Sequence, residues 1–191
     1  MAQRKKDGVR SAILEAAFRQ FSERGYTETT IPQIAREAGM STANVYVYFR
    51  SKLEILFTLY QPWLDTRLQS LGARLARVAS PSERLERLLY ALWRELPQAD
   101  GGFAHNVMQA VVTSGPSAEY SPALRRHFEA HIARWVGPAM GVDKRSAAQV
   151  ASVVLMTFDG YAMNSRLKGG ARCTRATARL LANLLIPRRA R

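Results

Sequence analysis

The chain of 191 residues and 21.4 kDa is long enough for one sizeable core or two small ones, and its 47% hydrophobic and 23% charged residues exclude a disordered, fibrous or collagen-like polymer. Its 28 Lys and Arg against 15 Asp and Glu leave a formal charge of +13, which suits a polyanionic partner without separating nucleic acid from a membrane surface. The lone Cys173 excludes an intramolecular disulfide and a cysteine-rich zinc site. No window reaches the ~18–20 apolar residues of a membrane span, and Glu15, Arg19 and Gln20 interrupt what would have to be the apolar core of a signal peptide. No membrane partner is expected, and the expected location is the cytoplasm.

Apolar positions recur at three- and four-residue spacing with little β-type alternation, so the chain reads as all-α with about nine helices. Ile13, Leu14, Ala17, Phe18 and Phe21 form one face of a first helix that stops at Gly25, with Tyr26 tucked back onto it. Thr30 and Gln33 make a capping box for a short second helix whose inner face is Ile31, Ile34, Ala35 and Ala38, ended by Gly39. Ser41 caps a third, with Val45, Tyr46 and Phe49 inward. Ser51 and Glu54 open a long fourth helix, in which Pro62 predicts a kink or break near Leu59 to Trp63.

Ser80-Pro81 starts a fifth helix, running to Pro97. A sixth covers Phe103 to Thr113, and a seventh runs from Ser121-Pro122 to a stop at Gly137-Pro138. An eighth is capped by Asp143 and extends to about Lys168, closed by Gly169-Gly170, and a ninth spans Thr174 to Ile186. The eighth and ninth are expected to lie side by side and antiparallel.

Helices two and three, joined by a tight turn at Gly39 and preceded by a longer packing helix, have the layout of a helix-turn-helix that sets its second helix in the DNA major groove. On the outer side of the third helix, Thr42, Ala43, Asn44 and Tyr48 are free to meet base edges or phosphates. Asn44 suits a bidentate pair with adenine, and Thr42 or Ala43 suits a thymine methyl. Thr30, at a helix N-terminus, suits a phosphate, and Arg4, Lys5 and Lys6 suit the DNA backbone or minor groove. The run Thr30 to Glu54, with Ile34-Ala35, Ala38-Gly39 and then Tyr46, Phe49 and Lys52, resembles the DNA-binding segment of the TetR family of bacterial transcriptional regulators. The resemblance covers about Gly8 to Phe57 and implies that Tyr46 and Lys52 bind phosphate. Tyr48 stands where many relatives carry histidine, and Asn44 where threonine or serine is common, so base reading does not carry over.

For the remainder, the resemblance implies a C-terminal domain that binds a small effector and dimerises. Tyr60, Trp63, Trp93, Phe103, Asn106, Met108, Phe158 and Tyr161 are the candidate lining of a largely apolar effector cavity. Ala151, Leu180, Leu181, Leu184 and Leu185 are the candidate dimer surface. His127 and His131 share a helical face, but no third metal ligand is evident in sequence. No catalytic motif is present, and neither a metal nor another cofactor is expected.

The expected division is a helix-turn-helix domain over 1–52 and a ligand-binding and dimerisation domain over 53–191. The expected function is a homodimeric DNA-binding regulator, a repressor released from a pseudo-palindromic operator by a small molecule. A sequence-nonspecific DNA binder and a helical small-molecule-binding protein without a DNA role remain as alternatives. The charge does not by itself choose: residues 1–52 have nine basic and five acidic side chains, whereas 168–191 have seven basic and none acidic.

Overall fold

The computed structural model describes residues 2–99, 102–114, 123–164 and 167–186, and among residues within those ranges it gives no account of the side chains of 2–5, 103, 104 and 114. The described residues contain helices and no strand. Their first helix, α1 (Ala2–Glu28), passes through Gly25, whose φ of 78° and ψ of 170° are not helical. The expected stop is thus a bend, after which Tyr26 is buried with its ring 5.7 Å from that of Phe21. Ile13, Ala16, Ala17 and Phe21 are buried, whereas Phe18 is 47% exposed and lies off the inner face expected for it.

The next two helices, α2 (Ile31–Glu37) and α3 (Thr42–Tyr48), are seven residues each. Isolated helices of that length are unstable in water, so caps and packing hold them. Thr30 and Gln33 exchange side-chain and backbone bonds as a capping box, and Asn44 N–H donates to Ser41 Oγ at 3.2 Å. Gly39 turns between them at φ 70°. Tyr46 is 54% exposed, contrary to its expected inward place, while Val45 and Phe49 are buried. A helix this short buries a narrow strip, and Tyr46 stands about 100° around the axis from Val45.

The long helix α4 (Lys52–Ala76) continues through Pro62, so of the expected kink or break no break occurs. Ser51 Oγ accepts Glu54 N–H, and the Glu54 carboxylate reaches back to Arg50 N–H at 2.7 Å. After α5 (Pro81–Tyr90), a wide π turn covers Ala91–Glu95 before α6 (Leu96–Gln98). Leu96 N–H donates to Ala91 O, five residues back. Pro97 has no N–H to give the Trp93 carbonyl, which removes one bond favouring the ordinary pitch there.

Three longer helices and one of eleven residues follow, α7 (Phe103–Ser114), α8 (Ala123–Met140), α9 (Lys144–Asn164) and α10 (Arg175–Leu185). Gly137-Pro138 does not stop α8. Gly137 is buried, and a Cβ there would lie 3.2 Å from the Ala147 Cβ, so this glycine is a close-packing site with α9. The turn is made instead by Gly141 at φ 67°. Asp143 Oδ1 accepts Ser146 N–H at 2.7 Å, as its expected capping role requires; α9 is described to Asn164, and the expected end at Lys168 lies in a turn.

The chain divides into two compact units. The first comprises α1 to α3, α4 as far as Leu64, and α7, with α7 packed on α1. The second holds the rest of α4, α5, the π turn, α6 and α8 to α10. Within it α9 packs on α8 and α10 packs on α5, so the expected α9/α10 hairpin is not a principal contact of the protomer. The small residues Ala147 and Ala151 serve the approach of α8 and α9, with Ala151 fully buried.

Candidate nucleic-acid interface

On α3, the side opposite buried Val45 presents Ala43, Asn44, Tyr46 and Val47 as exposed residues, with Thr42 and Tyr48 half-exposed. These are side chains with base-edge and phosphate chemistry on the outer face of a helix held by a serine cap. Thr30 is exposed, and its hydroxyl takes part in the box with Gln33, accepting Gln33 N–H at 3.4 Å and donating to Gln33 Oε1 at 2.9 Å. Lys6 is exposed on α1, and the side chains of Arg4 and Lys5 lie outside the described residues. On the inner side, Glu37 of α2 pairs with Arg19 and accepts from Gln20 of α1. The Arg19 hydrogen bond, then that of Gln20, holds the Glu37 carboxyl below its ordinary value.

Lys52 is placed less simply. Its Nζ donates to the carbonyls of Tyr26 and Thr29, both at 2.6 Å, and sits 4.1 Å above the centre of the Tyr26 ring. Burial pushes its ammonium below the ordinary lysine value, and the nearby Glu28 opposes that shift. Lys52 therefore ties the start of α4 to the segment between α1 and α2, a role invisible in its spacing from Tyr46.

That same segment is gripped from α7. Tyr26 N–H donates to both Asn106 Oδ1 (2.9 Å) and Gln109 Oε1 (2.8 Å). Asn106 is 1% exposed, and its Nδ2 donates to Phe21 O and Tyr60 Oη, each at 3.2 Å. Both ends of this amide are thus engaged within the first unit, as is Tyr60, and neither offers an unsatisfied group to an effector. The contacts join residues about eighty positions apart, and in the sequence only Gly25 hinted at an unusual backbone there.

The remaining effector candidates divide between the units. Trp63 and Met108 are half-buried in the first. In the second, Trp93 is buried, donates its indole N–H to Val154 O at 3.1 Å and lies 5.6 Å from the Tyr161 ring, while Phe158 packs edge-on to Phe128 at 5.4 Å. The Phe103 side chain lies outside the described residues. Asp159, between Phe158 and Tyr161 in sequence, is pushed up to about 6 by burial, which outweighs the nearby Arg125.

His127 Nε2 meets Asp65 Oδ1 at 2.6 Å, and the rings of His127 and His131 are 4.8 Å apart. No group of three His, Cys, Asp or Glu among the described residues could hold a metal ion. Of the dimer candidates, Leu180 and Leu184 are 61% and 72% exposed, Leu181 and Leu185 are half-buried, and Ala151 is inside the protomer core. No described helix is long and apolar enough to cross a membrane.

The profile of bacterial regulatory proteins of the tetR family matches residues 13–59, the segment that builds the helix-turn-helix and the start of α4. The HTH-type transcriptional regulator HbdR of Aromatoleum sp. (strain CIB) is 44% identical over 84 residues, which are 44% of this chain and 35% of HbdR. The HTH-type transcriptional regulator BetI of Brucella anthropi is 28% identical over 125 residues, 65% of this chain and 62% of BetI. The chain thus spans about a third of the first relative and about three-fifths of the second. The solved structure of AibR in complex with isovaleryl coenzyme A and operator DNA superposes with a TM-score of 0.58 at 20% identity, over 94% of this chain and 98% of AibR. Over residues 13–59 the chain is thus similar to the DNA-binding segment of the TetR family of bacterial regulatory proteins.

Proposed function

We propose that this protein is a homodimeric transcriptional regulator of the cytoplasm, not an enzyme, and that it represses from a pseudo-palindromic operator until a small molecule releases it. The observation that carries the reading is the outer face of α3, where Asn44 and Tyr46 stand exposed while Val45 and Phe49 are buried beneath them. A helix presented this way fits the major groove, and two copies related by a two-fold axis meet successive grooves about 34–36 Å apart. Asn44, Thr42 and Ala43 read bases in this assignment, while Tyr46, Tyr48, Thr30 and Lys6, with Arg4 and Lys5, hold the backbone. An ammonium has three N–H donors, so Lys52 gives its third to a phosphate after the two carbonyls.

DNA binding is assigned to 1–52, and effector binding and dimerisation to 53–191. The exposed apolar side chains Leu180 and Leu184 of α10, with Val153, Met156 and Met163 of α9, supply the dimer surface, flanked by Leu181 and Leu185. Trp93, Phe158 and Tyr161 supply apolar walls for the effector, which is largely apolar. That AibR was solved with a coenzyme A thioester and operator DNA together supports a regulator of this architecture answering to a small molecule.

The test is selection of bound sequences from a random duplex pool, followed by titration of the selected duplex against a scrambled one. Asn44→Ala is expected to cost ~1–3 kcal/mol at one base pair and to relax the preference there. Tyr46→Phe is expected to weaken binding about equally across sequences, as loss of a phosphate contact does. Equal affinity for selected and scrambled duplex would leave only a nonspecific DNA binder, and no binding at all a protein without a DNA role.

A further inference from the structure

The segment from Gly25 to Thr30 joins α1 to the capping residue of α2, and three elements hold its backbone. Its carbonyls at Tyr26 and Thr29 are taken by Lys52 at the first turn of α4. Thr29 is fully buried, and its hydroxyl donates to Gly25 O at 2.8 Å and to Gln20 O at 3.1 Å of α1. Its N–H groups are taken by α7, with Tyr26 N–H shared between Asn106 and Gln109, and Thr27 N–H 3.4 Å from the same Gln109 oxygen. Gly25 is what lets Gln109 in. Its φ of 78° is costly for any side chain, and a Cβ there would lie 2.9 Å from Gln109 Oε1.

Resting on the regulator reading above, we propose that Asn106 and Gln109 are positioning residues for DNA recognition. Through their amide oxygens α7 fixes the backbone at Tyr26, and with it the start of α2 and the start of α4, so operator affinity depends on where α7 stands. Neither side chain needs to touch DNA. Loss of the Gln109 oxygen leaves Tyr26 N–H on Asn106 alone and takes from Thr27 N–H the same acceptor, and the segment can re-satisfy these groups by shifting. Such a shift moves Thr30, which caps α2, and loosens the carbonyl pair that Lys52 grips.

The experiment uses the full chain, the duplex recovered by selection, and two substitutions at the less buried of the two positions. Gln109→Leu keeps the bulk and removes the acceptor, whereas Gln109→Glu keeps an oxygen acceptor in place. The expected result is about a tenfold loss of duplex affinity for Gln109→Leu at an unchanged salt slope, with Gln109→Glu within about threefold of the parent protein. Amide hydrogen exchange at Tyr26 is expected to quicken in the leucine variant and not in the glutamate variant. Parent-like affinity of Gln109→Leu, equal losses in both variants, or a changed salt slope would each overturn the proposal while leaving the regulator reading intact. Failure of the parent protein to select any duplex overturns both. Retained fast-exchange differences at Tyr26 in that case would still locate the amide clamp but remove its role in recognition.

Discussion

The two helices of the helix-turn-helix and α8 of the second unit end by different rules. In α2 and α3 each boundary lies where a short polar side chain can close it: Thr30 with Gln33, Ser41 with the Asn44 N–H, Gly39 at φ 70° between them. In α8 the strongest stop signal of the chain, Gly137-Pro138, lies inside the helix, because the glycine is where α9 comes close through Ala147. Seven-residue helices have little buried area to set against an unfavourable cap, so local chemistry decides their ends. In an eighteen-residue helix with Phe128, Ile132 and Val136 buried, packing outweighs the lost bond at one proline. A glycine that reads as punctuation in one region is a spacer in the other.

Gly137→Val tests the spacer role of this glycine and carries the largest expected effect. The new side chain begins 3.2 Å from the Ala147 Cβ, and overpacking of this kind costs ~1–3 kcal/mol, against the few tenths of a kcal/mol (~0.3) by which valine improves on glycine as a helix former. A loss of about 2–3 kcal/mol in urea unfolding is expected. A parent-like midpoint would mean that Gly137 is a failed stop signal and not a packing site. A smaller effect is expected at α2: Thr30→Ala should remove ~1 kcal/mol by deleting the hydroxyl half of the box, while the Thr30 N–H keeps its bond to Gln33 Oε1. Its effect on DNA binding should exceed that of a stability loss alone, because Thr30 is also assigned a phosphate.

The caps, the inner face of α2 and the outward placement of Asn44 were legible in sequence because each depends on neighbours within four residues. Tyr46 was half legible: its spacing from Val45 and Phe49 suggested an inward place, and only the narrowness of the buried strip on α3 turns it outward. Lys52 was legible as a cation near the helix-turn-helix but not as a clamp, since its partners Tyr26 and Thr29 are set by the bend at Gly25. Asn106 reads as part of an effector lining, yet its oxygen, like that of Gln109, is bound to Tyr26, about eighty residues away. The partners of α9 and α10 were misjudged for a similar reason. Apolar stripes identify a face to be covered and do not name the helix that covers it.

The two regions also set the protonation of carboxylates differently, and this gives the smallest of the expected effects. Glu37 is held low by hydrogen bonds from Arg19 and Gln20. Asp159 of α9 is pushed up to about 6 by burial, with Arg125 of α8 opposing and Glu129 of α8 adding to the rise. A group whose folded pKa lies above its unfolded value stabilises the fold when protonated. For Asp159 that contribution is complete below the unfolded value near 4 and is lost as pH rises through about 6. Asp159→Asn keeps a neutral side chain at every pH, so it is expected to be more stable than the parent protein at pH 7–8, by under about 1 kcal/mol once solvent screening is allowed for. The advantage should vanish towards pH 4. Thermal unfolding of both proteins across that range measures it, and a pH-independent difference would show that the carboxyl of Asp159 stays charged on α9 as the exposed carboxylates do.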